Sequence, residues 1–106
     1  MATFVREGNG LTASGDMSTE EIDRLIAHGQ ELLESDAPQV LLDVRKAAQE
    51  GSSFIGAIAH LGAEARARSK SLIVRADGRL ADMLVWAGLH RVVTLYVSSN
   101  PNPPAQ

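Results

Sequence analysis

Val40-Leu41-Leu42-Asp43-Val44, followed closely by Glu50-Gly51-Ser52-Ser53-Phe54-Ile55-Gly56, decides the fold of this chain. The first run is short, mostly apolar and rich in branched side chains, which predicts a strand covered on both faces. The second opens a helical period, with Phe54, Ile55, Ile58, Leu61, Gly62 and Ala65 recurring at helix spacing. Two hydroxyls therefore stand where a strand turns into a helix. Helix N-termini carry unpaired amides and the positive end of the helix dipole. Serine there serves as an N-cap. A phosphate added there would change the local charge by about −2, which is the physical basis of a switch. Both readings of Ser52 and Ser53 follow from the same position.

Outward from that junction the chain alternates strands and helices. Thr3–Val5 and Gly10–Ala13 are short strand candidates, separated by the turn-like Gly8-Asn9-Gly10. Ser18-Thr19-Glu20-Glu21 has the form of a capping box, with Met17 and Ile22 at the two positions of a hydrophobic staple. Ile22, Leu25, Ile26, Gly29, Leu32 and Leu33 continue as one apolar stripe, and Ala37-Pro38 ends that helix. Ser71–Val74 reads as a strand. Gly78–Ala87 reads as a helix, with Leu80, Met83, Leu84 and Ala87 inward and Gly88 just beyond its end. Val92–Val97 reads as the last strand. Strand–helix–strand spacing of this kind implies parallel, right-handed crossovers. The expected architecture is α/β, a single domain with a mixed central sheet of about four or five strands and three to four helices packed mainly on one face. Residues 1–98 form the domain. Residues 99–106, with Pro101, Pro103 and Pro104, read as a flexible tail.

Composition narrows the function. At 106 residues there is room for one core. A net charge of −3 gives no bulk attraction to nucleic acid or an anionic membrane. With no cysteine there are no disulfides, thiolates or zinc–sulfur sites, which fits a reducing compartment. The N-terminus has no long apolar segment, so neither a signal peptide nor membrane insertion is expected and cytoplasm is the default.

These elements and several residues resemble the STAS domain of bacterial anti-sigma factor antagonists. The matching pieces are Leu41-Leu42-Asp43-Val44, Gly51-Ser52-Ser53-Phe54-Ile55-Gly56, Ser71-Leu72-Ile73-Val74 and Leu84-Val85-Trp86-Ala87-Gly88-Leu89, with Gly15-Asp16-Met17 ahead of the first helix. The likeness covers nearly the whole chain. Two positions depart from it: Gly51 stands where the family has an aspartate, and Phe54 where it has a glycine after the serine pair. The resemblance implies a regulatory, non-enzymatic interaction module. Its partner would be an anti-sigma factor that is also a serine kinase of the histidine-kinase-like ATPase type. Ser52 would be the phosphorylated residue, with Ser53 as alternative, and Gly51, Ser52, Ser53, Phe54 and Gly56 would line the partner surface. Two other readings are a non-switched scaffold subunit of a signalling or lipid-transport assembly, and a small-ligand-binding or hydrolytic domain using Ser52 or Ser53. Phe54 itself is either an exposed partner anchor or a side chain packed on the sheet edge, the reading that its size favours.

Other chemistry finds little support. His28, His60 and His90 lie on separate elements without ligand spacing, so neither metal nor cofactor is expected. The Ser52 turn is not a Gly-x-Ser-x-Gly elbow, and His60 lies roughly 12 Å further along the same helix, out of reach as a base. No catalytic residue is assigned. Arg66, Arg68 and Lys70 cluster at a helix C-terminus, where cations compensate the dipole. Asp43 is expected to end its strand or to form a negative rim beside Ser52. Asp77-Gly78 is expected to turn into the third helix, and Trp86 and Leu89 to pack in the core.

Overall fold

Strand order sets everything else in this molecule. The computed structural model describes residues 2–48 and 52–97. They form five strands, β1 (Ala2–Glu7), β2 (Gly10–Asp16), β3 (Gln39–Ala48), β4 (Ser71–Ala76) and β5 (Thr94–Val97), with helices α1 (Thr19–Leu33), α2 (Ser52–Ala67) and α3 (Gly78–Trp86). A single 3₁₀ turn, Leu89–Arg91, precedes β5. The strands lie side by side in chain order. β1 and β2 make an antiparallel hairpin, and every later neighbour is parallel. Crossovers between parallel strands are right-handed, and here the order never reverses. Successive helices must therefore land on the same side of the sheet.

Burial follows that rule. Leu11 and Ala13 of β2, Val40, Leu42 and Val44 of β3, and Leu72, Val74 and Ala76 of β4 are buried beneath the helices. The residues between them are not. Leu41, Asp43, Ile73 and Arg75 are half-buried on the bare face. The expectation that β3 is covered on both faces is thus corrected: only a reversal of strand order would have brought helices to its other side. Leu41 and Ile73 stand as direct partners across β3 and β4 and shield each other there.

From the helix side, Ile22, Leu25, Leu32 and Leu33 of α1, Phe54, Ile58, Leu61 and Ala65 of α2, and Ala81 and Leu84 of α3 complete one core. Two glycines let helices approach closely. A Cβ at Gly29 would lie 2.6 Å from the Leu61 side chain, and one at Gly62 would lie 2.6 Å from Val93 Cγ1. α1 meets α2 at the first contact, and α2 meets the segment before β5 at the second.

Several local expectations change. The capping box does not form. Ser18 is the N-cap of α1, but its hydroxyl makes no capping bond. Glu21 instead accepts the Ala2 amide at 3.1 Å and the Arg24 guanidinium at 2.8 Å, tying the helix to the start of β1. The staple pair Met17 and Ile22 is buried as expected. β5 begins at Thr94 rather than Val92, because the Val92 and Val93 amides both donate to the Leu89 carbonyl and close a turn. Gly88 does sit beyond α3 in the left-handed region, at φ +81°. α1 ends at Leu33, ahead of Ala37-Pro38. The intervening loop is pinned by Lys70, whose Nζ donates to the Ser35 and Ala37 carbonyls at 2.6 and 2.7 Å. The domain boundary at 98 and the tail lie outside the described residues.

Candidate functional site

Parallel strands put their C-terminal ends on one edge of the sheet, and α2 and α3 both start from that edge. Ser52 is the first residue of α2. Ser52, Ser53 and Gly56 are exposed, while Phe54 is fully buried. Phe54 shares a stripe with buried Ile58, Leu61 and Ala65. This corrects its assignment to the partner surface: it anchors the first turn of α2 onto the sheet. The consequence is positional, since a first turn pinned from below holds the serines outward. Gly51 lies outside the described residues.

Gly56 is unlike the two packing glycines. A Cβ there would meet nothing within 4 Å. A glycine inside an exposed helical turn costs about 1 kcal/mol relative to alanine. Nothing within the described fold offsets that cost.

Asp43 neither ends β3 nor makes a negative rim. β3 continues to Ala48, and just beyond Asp43 it carries a bulge. Thr12 pairs with Asp43 and Ser14 with Lys46, so Ala13 alone faces both Val44 and Arg45. The Asp43 carboxylate takes up the amide that the bulge frees, accepting Arg45 N–H at 3.1 Å. It also accepts Arg45 Nε at 3.0 Å and the guanidinium terminus at 2.8 Å in a two-pronged pair. The side-chain bonds from Arg45 hold the Asp43 carboxyl below its usual range; partial burial opposes this, and the charge of Arg75 adds to it. Arg75 pairs with Asp43 across the sheet and lies over the Tyr96 ring, 5.6 Å from its centroid. The bare face thus carries an ordered row, Val5–Thr12–Asp43–Arg75–Tyr96.

The remaining titratable groups are dispersed. His28 stacks on Phe4 at 4.8 Å, and His60 pairs with Glu64 at 2.9 Å. Glu64 also accepts Gln30 Nε2 of α1 at 2.8 Å. No group of His, Asp and Glu able to hold a metal occurs among the described residues, and no helix among them is long and apolar enough to cross a membrane.

Trp86 departs most from expectation. Leu89 is buried, but Trp86 is 87% exposed. It borders an open groove of about 630 Å³ along α3, lined also by Gly78, Arg79, Asp82 and Met83. The signal was present in the sequence. Ala81 and Leu84 define the inner face of α3, and two residues past Leu84 is nearly the opposite side of the helix.

No family model matches the chain, and no curated protein matches it in sequence. A solved structure does: the anti-sigma factor antagonist SpoIIAA in its unphosphorylated form, with a TM-score of 0.69. The match covers 99% of this chain and 92% of that one, at 10% sequence identity. This chain has the STAS fold. Within that fold the five-stranded mixed sheet and the three helices described above are all accounted for. At this identity the likeness carries the backbone arrangement, and the chemistry has to be argued from this chain's own side chains.

Proposed function

We propose that this chain is a regulatory protein–protein interaction module of the anti-sigma factor antagonist kind, whose contact surface centres on the start of α2 and is switched by phosphorylation of Ser52. The observation that carries the reading is the pairing of exposed Ser52 and Ser53 with buried Phe54 in one helical turn. The turn cannot retreat from the sheet, so a group added to Ser52 projects outward. The first turn of α2 contains no acidic residue, and unpaired amides at a helix start favour an anion. A phosphate there leaves the helix intact and acts on whatever docks against it, through charge and desolvation at the contact. Gly56, one turn along the same face and without a packing role, lets a partner's backbone approach closely.

The partner fitting this reading is a bacterial, cytoplasmic anti-sigma factor that is also an ATP-dependent serine kinase of the histidine-kinase-like type. The module itself supplies no chemistry, and Ser53 is the alternative acceptor. Incubating the protein with such a kinase and ATP, then mapping the phosphate by mass spectrometry, tests the assignment. Modification of Ser52 is expected, with loss of kinase binding in the phosphorylated form. Modification that leaves binding unchanged, or none in wild type, sinks the switch. The non-switched scaffold reading draws on the same fold and on the exposed Trp86, and it predicts stable assembly whatever the state of Ser52.

A further inference from the structure

At the opposite edge of the sheet, a polar groove of about 280 Å³ gathers Arg66 and Lys70 from the end of α2, Ser71 at the start of β4, and His90, Arg91 and Thr94 around the start of β5. Sequence reading ascribes the first two cations to compensation of the helix dipole. The structure gives both side chains partners outside α2. α2 ends in a closed hydrogen-bonded turn: the Ser69 amide donates to the Arg66 carbonyl at 3.0 Å and the Lys70 amide to the Ala65 carbonyl at 2.8 Å, with Ser69 at φ +58°. The Arg66 guanidinium reaches away from its own helix to the Arg91 carbonyl at 3.1 Å. The Lys70 ammonium donates to the Ser35 and Ala37 carbonyls. No carboxylate among the described residues lies within ion-pair distance of Arg66, Lys70 or Arg91. In a chain whose net charge is −3, the Arg66 and Arg91 guanidinium groups line this groove with no carboxylate partner among the described residues, while the Lys70 ammonium is held by the loop after α1.

We propose that this groove binds a compact phosphate-bearing ligand, a phosphomonoester or diphosphate group. Planar guanidinium forks match phosphate oxygens with paired hydrogen bonds. The Ser71 and Thr94 hydroxyls add neutral donors, and buried Leu72 and Val93 close the floor. A single carboxylate would leave most of the positive charge unmatched, whereas a phosphate carries about −2. The groove is slightly smaller than the roughly 300 Å³ at which pockets begin to hold drug-sized ligands, which suits a headgroup or small metabolite. Arg66 lies about 21 Å along α2 from Ser52, so the two sites are separable.

Titrating pyrophosphate into the whole chain at constant ionic strength, followed by amide chemical shifts, tests this. Saturable shifts confined to Ser71, Leu72 and residues 90–94 are expected, with affinity falling at least fivefold in Arg91→Gln. The Arg91 side chain makes no hydrogen bond or ion pair among the described residues, so that variant should keep the wild-type melting temperature. Arg66→Gln provides a second, independent loss. Vesicles containing phosphatidic acid form the other arm: co-sedimentation that Arg91→Gln abolishes assigns a lipid headgroup, and binding of pyrophosphate alone assigns a soluble ligand. Absence of saturation in both arms, or equal binding by Arg91→Gln, overturns the proposal.

Discussion

Leu61 of α2 packs directly against the backbone of Gly29 in α1, so closely that a Cβ there would lie 2.6 Å from Leu61 Cδ1 and 2.8 Å from Cδ2. Leu61 is 1% exposed and has nowhere to move. Gly29→Ala gains helix propensity, about 1 kcal/mol, but overpacking a filled core typically costs about 1–3 kcal/mol. A net loss of about 1 kcal/mol is expected, read as a lower midpoint in urea denaturation.

The same substitution at Gly56 should have the opposite sign. With open space around it, alanine there adds propensity without a clash. Stability should rise by about 0.5–1 kcal/mol. If α2 begins at a partner surface, the more stable protein should also bind its partner less well. A variant that gains stability and keeps full binding would remove Gly56 from the contact.

Ser69 occupies the left-handed position after α2 at φ +58°, a conformation that disfavours any side chain by about 1–2 kcal/mol. Glycine relieves that strain but gains conformational freedom in the unfolded chain. Ser69→Gly should therefore stabilise by about 0.5–1 kcal/mol in a thermal melt, leaving the pyrophosphate response intact.

The Asp43–Arg45 pair gives a pH signature. The folded Asp43 carboxyl titrates below its unfolded value because Arg45 bonds to its charged form. Its contribution is therefore complete above the unfolded pKa, about 3.9, and fades as pH falls through the folded one. Arg45→Met should be slightly less stable than wild type near neutrality, since solvent screens the exposed pair. The gap to wild type should close as the pH drops below about 3.9. A gap that persisted in acid would show that Arg45 acts by packing instead.

Much of the fold was legible because local periodicity carries it. The stripe Ile22, Leu25, Gly29, Leu32 and Leu33 was readable, and so were the order of strands and helices and the glycine after α3. Phe54 could be placed from its spacing to Ile58 and Leu61, and the reading that packed it on the sheet was the correct one of its two. What escaped was set by distant parts of the chain. That β3 is covered on one face only depends on the order of all five strands. Glu21 had a good local partner in Ser18 but is satisfied by the Ala2 amide, which arrives only once β1 is in place. The groove joining Arg66 and Lys70 to His90 and Arg91 needs β4 and β5 side by side, so a sequence window shows only half of it.

Capture of partners from a bacterial host, wild type against Ser52→Asp and read by mass spectrometry, tests the central claim most directly. The account predicts that wild type recovers an ATPase-type kinase and that the aspartate variant, folded to the same melting temperature, does not. Recovery of one and the same assembly by both proteins would contradict it. The domain would then be a structural subunit, and the serines at the start of α2 would serve the helix alone.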